Sequence, residues 1–95
     1  MRKHVLHEER NTLADCPLGT TVRIRSVDWD ALASEEARRL HALGIEPGAS
    51  LKLAYRGIFA GRDPLAVEIG RMTIALRRVH ALAILVEDVD AEARP

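Results

Sequence analysis

Residues 38–51 read Arg-Arg-Leu-His-Ala-Leu-Gly-Ile-Glu-Pro-Gly-Ala-Ser-Leu, and they leave the chain one local path: a helix that stops and reverses into a strand. Ser34 is placed to cap the helix N-terminus, with Glu35 and Glu36 against the positive end of its dipole. Ala33, Ala37, Leu40 and Leu43 recur at helical spacing and give the helix one apolar face. Gly44 suits the left-handed conformation that closes a helix, so that Ile45 can fold back onto Leu40. Pro47 and Gly48 then fit the two central positions of a type II turn.

Alternating segments lie on both sides of this unit. Residues 21–27 place Val22 and Ile24 on one face and Thr21, Arg23 and Arg25 on the other, the pattern of a half-buried strand. Before them, Pro17, Leu18 and Gly19 suit a type I turn. Residues 50–56 alternate with Leu51, Leu53 and Tyr55 inward and Lys52, Ala54 and Arg56 outward. Leu65, Val67 and Ile69 alternate with Ala66 and Glu68. Gly70-Arg71 then fits a type II′ hairpin link into Met72, Ile74 and Leu76. One helical or 3₁₀ turn is expected over residues 77–81 and a last strand over 82–86. The expected fold is mainly β: a small SH3-like barrel of about five strands with one short inserted α-helix. Closure, full or nearly full, follows because five short strands in an open sheet would leave exposed edges. Residues 1–12 read as an arm, 13–86 as the domain and the acidic residues 87–95 as a frayed tail.

Composition narrows the functional classes. Ninety-five residues make one domain, which buries roughly 60–65% of its unfolded surface and is therefore modestly stable. A hydrophobic fraction of 47% argues for a folded globule. Fourteen basic residues balance fourteen acidic ones, so net charge favours neither a nucleic-acid backbone nor an anionic membrane. Cys16 is the only cysteine and cannot form an internal disulfide, which suits a reducing compartment. Charged residues stand where a signal peptide needs an apolar run, and no apolar stretch approaches the ~20 residues that span a bilayer. The expectation is a soluble cytoplasmic protein without membrane insertion.

Leu13, Cys16, Gly19, Val22 and Ile24, the helix-stop unit at 38–51, Asp63-Pro64-Leu65, Ile74-Ala75-Leu76-Arg77, Ala81, Ile84 and Val86 together resemble the FeoA family, small cytoplasmic partners of the bacterial ferrous iron transporter FeoB. The resemblance covers residues 13–86 and is carried by glycines and apolar positions, with no catalytic signature. It implies a non-enzymatic module that docks on the cytoplasmic part of a FeoB-type transporter and regulates it. The same barrel resembles the C-terminal domain of DtxR-type metal-dependent repressors, so the alternative is a detached repressor-type domain in metal-dependent regulation of transcription.

Read for chemistry, the residues offer little. His4 and His7, with Glu8 after them, could present ligands on a helix, but a stable transition-metal site needs three or four converging groups. They read as solvated histidines, and no metal or cofactor is expected. Cys16 reads as a small buried apolar residue. Neither a nucleophile elbow nor a phosphate-binding glycine loop is present. Trp29, Tyr55 and Phe59 are too few to stack single-stranded bases, so no nucleic acid is expected. Protein binding fares better. Ile58 and Phe59 lie in a loop bounded by Gly57 and Gly61 and either form an apolar patch or plug the barrel end. Arg56 and Arg62 flank them and could steer an acidic partner. Leu43 and Ile45 form a second candidate edge, and weak self-association is a further expectation.

Overall fold

A computed structural model of the chain describes residues 11–57 and 63–89. A 3₁₀ turn (Leu13–Asp15) leads into strand β1 (Thr21–Val27), and a second (Trp29–Ala31) leads into helix α1 (Ser34–Ala42). Strands β2 (Ser50–Arg56), β3 (Leu65–Ile69) and β4 (Met72–Leu76) follow, then the short helix α2 (Arg78–Ala81) and strand β5 (Ile84–Asp88). The strands form one antiparallel sheet in the order β4-β3-β2-β1-β5.

The helix-stop unit folds as its residues demand. Gly44 sits at φ +100°, Ile45 donates its N–H to the Leu40 carbonyl at 3.0 Å, and Gly44 donates to His41 at 3.1 Å. Those two bonds satisfy carbonyls that the helix end leaves free. Gly48, at φ +95°, closes the Pro47 turn, with Ala49 donating to the Glu46 carbonyl at 3.1 Å. The turn is built onto β1: Gly48 donates to the Ile24 carbonyl and Ile24 donates to the Ala49 carbonyl, both at 2.8 Å. Two local expectations are corrected. Ala33, not Ser34, occupies the cap position, and no side chain caps the helix. Gly19 has φ +79°, the value of a type II third residue and not of a type I turn.

One core runs through the sheet. Val22, Ile24, Leu51, Leu53, Leu65, Val67, Ile69, Ile74, Leu76, Ile84 and Val86 are all buried, joined by Leu13, Leu32, Leu40 and Ile45. Bulges interrupt the register between Ile24 and Ser26 and between Leu53 and Tyr55. The second has a large consequence. Leu53 pairs with Val67, but Tyr55 pairs with Ala66 and Arg56 with Leu65. One extra residue therefore turns Tyr55 outward, 49% exposed, and Arg56 inward. Strict alternation puts both on the wrong face. Met72, which alternation puts on the same face as Ile74 and Leu76, is exposed at the hairpin end.

Residues 11–12 and 87–88 pair more fully than their composition suggests. Thr12 bridges Leu85, and Val86 donates to the Asn11 carbonyl at 3.0 Å. β5 starts two residues later than expected because Leu82 still closes α2, donating to the Arg78 carbonyl at 3.0 Å. It then continues through Glu87 and Asp88, with Arg23 Nε 3.1 Å from the Glu87 carboxylate. An acidic residue can hold a strand position when an arginine on the neighbouring strand faces it.

Candidate docking surface and its supports

The stem of the loop after β2 is tightly built. Gly57 is buried, and a Cβ there would overlap the Asp63 carbonyl and lie 2.8 Å from the Pro64 nitrogen. Glycine is needed at this point for close backbone approach. The cis Asp63-Pro64 pair follows, and the Asp63 carboxylate accepts the backbone N–H of Arg78 at the start of α2. Ile58, Phe59 and Arg62, the expected contact residues of this loop, lie outside the described residues.

Arg56 has a different place from the one its sequence position suggests. Its Nη2 donates to the carbonyls of Cys16 at 2.8 Å and Ala14 at 3.3 Å. Arg78 reaches the same turn, donating from Nη1 to the Ala14 carbonyl at 3.5 Å and from Nη2 to Asp15 at 3.3 Å. Two arginines thus tie the opening turn to β2 and α2. Arg56 is a brace of the opening turn, its guanidinium held against two backbone carbonyls. Cys16 is buried in that turn, and burial pushes its thiol pKa up, partly offset by the Arg56 charge. The thiol stays protonated, as expected for a core residue.

The second candidate edge divides. Leu43 is half-buried against the core, while Ile45 is fully buried and has no surface to offer a partner. Its burial follows from the helix-closing bond to Leu40. His41 lies on the exposed side, edge-on to Trp29 with ring centroids 5.8 Å apart. Exposed apolar side chains that periodicity did not mark are Leu18, Val79 and Leu82, at 50%, 59% and 45% exposure. Val79 and Leu82 are three apart and share one side of the α2 turn. A four-residue helical turn is too short for its pattern to separate a buried from an exposed face.

Helix α1 is latched to the far end of the sheet through Glu36. Arg39 donates to both Glu36 carboxylate oxygens, from Nε at 3.1 Å and Nη2 at 2.9 Å, and reaches the Ala75 carbonyl at 3.4 Å. His80 Nδ1 lies 3.4 Å from the same carboxylate, an ion-pair distance without hydrogen-bond geometry. The Arg39 hydrogen bonds hold the Glu36 carboxyl below its usual range, burial opposes them, and the Arg39 and His80 charges add to the lowering. A carboxyl with a lowered folded-state pKa stabilises the fold above its unfolded value of about 4.3 and loses that contribution as pH falls through the folded value. Glu36→Gln should therefore flatten the loss of stability between about pH 5 and pH 3. Urea denaturation across that window reads it. Identical acid slopes in both proteins would assign the latch no energetic role.

Among the described residues, no group of three or more His, Cys, Asp or Glu side chains converges. No described helix is long and apolar enough to cross a membrane.

A five-stranded antiparallel sheet with a helix inserted after its first strand and a helical turn before its last is the frame of a small SH3-like domain. Residues 11–88 match the FeoA domain model, and the chain belongs to the FeoA family. No curated protein matches it significantly. Iron(II) transport protein A from Clostridium thermocellum is similar at 26% identity and TM-score 0.72, over 83% of this chain and 46% of that one. The chain thus spans about half the length of that relative. FeoA from Stenotrophomonas maltophilia, a zinc-complexed prokaryotic SH3 domain protein proposed as a bacterial ferrous iron transport activating factor, is 33% identical with TM-score 0.65. That likeness covers 80% of this chain and 88% of the other. A manganese-dependent transcriptional repressor is 28% identical with TM-score 0.70, over 83% of this chain and 41% of its own length.

Proposed function

We propose that this chain is a non-enzymatic cytoplasmic module that docks on the cytoplasmic part of a FeoB-type ferrous iron transporter. It regulates the transporter by binding one of its conformations and shifting the population towards it. The observation that carries this reading is membership of the FeoA family along 11–88, with an SH3-like relative proposed as a transport activating factor. Ile58 and Phe59 supply the apolar contact, Arg62 the encounter charge, and Leu43 a secondary edge. The braced stem, with Gly57 against Asp63 and Asp63 on Arg78, supports a loop presented from a fixed base.

Phe59→Ala is expected to weaken capture of the transporter by more than about 1 kcal/mol, the usual scale for an aromatic anchor, with the melting temperature unchanged. Pull-down and thermal melting on the same variant separate the two roles of the side chain. Unchanged capture with a lowered melting temperature would make Phe59 a plug of the barrel.

The likeness to the manganese-dependent repressor supports a second reading, a detached domain in metal-dependent control of transcription. Stoichiometric manganese binding by the isolated chain, without transporter capture, would favour it.

A further inference from the structure

The two outer strands of the sheet are treated differently. The outer side of β5 is covered by the chain itself, through the Val86–Asn11 bond and the Thr12–Leu85 bridge. The outer side of β4 carries no strand among the described residues. The two-residue link Gly70-Arg71 sets Ile69 opposite Met72, so Met72, Ile74 and Leu76 bond towards β3 while the N–H and C=O groups of Thr73 and Ala75 point away. Thr73 and Ala75 are both exposed. Of their four outward groups, only the Ala75 carbonyl is engaged among the described residues, at 3.4 Å by an Arg39 side chain that is itself 45% exposed. That contact confirms the outward direction and leaves the other three groups open to a partner.

Charge brackets this edge. Arg71 and Arg77 stand at the two ends of β4, exposed and without an ion pair among the described residues. β4 itself has no acidic residue, and the acids on its neighbours, Glu68 on β3 and Glu36 on α1, face Lys52 and Arg39. From this geometry we infer that the β4 edge is a docking site for an extended segment of a partner protein, added as an antiparallel strand with a carboxylate near each end. The backbone of that segment pairs with Thr73 and Ala75, and its acids, about six residues apart, meet Arg71 and Arg77. A second copy of this chain fits poorly. Self-pairing centred on Ile74 would set Arg71 of each copy opposite Arg77 of the other, two like-charge pairs across the new ladder.

The inference rests on the docking reading for its occupant, but its test uses a peptide and not the transporter, so either can fail alone. The probe is a synthetic heptapeptide, acetyl-Glu-Thr-Val-Thr-Val-Thr-Glu-amide, titrated into the full chain and followed by amide NMR. The Thr73 and Ala75 amides should shift and become protected from exchange. A version with lysine at both ends should bind about tenfold more weakly. Thr73→Pro removes an outward donor without breaking a bond to β3, and should abolish binding. Should that variant misfold, Arg71→Glu with Arg77→Glu leaves the ladder intact and should reverse the preference between the two peptides. Absent binding, shifts centred away from β4, or equal affinity for the two peptides would overturn the inference.

Discussion

Leu53→Ala is expected to cost about 2–5 kcal/mol, a large share of the roughly 5–15 kcal/mol that holds a small domain together. Leu53 is fully buried at the centre of the sheet, opposite Val67, and its carbonyl accepts the N–H of Gly19 at 2.9 Å. Removing its side chain leaves a cavity in the close-packed core beneath the sheet, which the surrounding side chains fill only in part. Tyr55→Ala is the matched control. Were the strand strictly alternating, Tyr55 would be as buried as Leu53 and the two losses would be alike. With the bulge between them, Tyr55→Ala should stay within about 1 kcal/mol of wild type. Urea denaturation of the two variants decides the register.

Gly57→Ala should be nearly as damaging, by a different route. Its Cβ would meet backbone atoms of Asp63 and Pro64, which cannot rotate aside as a side chain could. Relief requires the stem to open, and that pulls the Asp63 carboxylate from the Arg78 N–H and loosens the start of α2. Overpacking of this kind costs about 1–3 kcal/mol or more. The variant should melt lower, and the Arg78 amide should exchange faster than in wild type. Gly48→Ala offers a comparison, since open space surrounds that site and its positive φ is the sole source of strain. A fully wild-type melt for Gly57→Ala would mean that the close approach is not maintained in solution.

The fold was legible where local chemistry and tertiary packing point the same way. Gly44, Pro47 and Gly48 determine the helix stop and turn by backbone conformation alone, and the buried pairs Val22/Ile24, Leu51/Leu53, Val67/Ile69 and Ile74/Leu76 are visible as alternation. What escaped was whatever depends on a partner strand. A bulge adds a residue to one strand relative to its neighbour, so the inversion of Tyr55 and Arg56 is not written in the periodicity of one segment. Glu87 and Asp88 looked like tail because Arg23, more than sixty residues earlier, supplies the charge that lets them pair. The site was less legible than the fold. Arg56 reads as a surface cation until the carbonyls of Ala14 and Cys16 are found around it, and Ile45, which reads both as folding back onto Leu40 and as an edge, follows the first of these into the core.

The central claim is that this member of the FeoA family acts by binding a transporter. Titration of the purified chain against the isolated cytoplasmic part of a FeoB-type transporter, followed by calorimetry, tests it most directly. The account predicts saturable binding at a fixed stoichiometry that is weakened by Phe59→Ala. A chain that stays folded, shows no heat of binding and remains indifferent to the transporter at every concentration tested would contradict it.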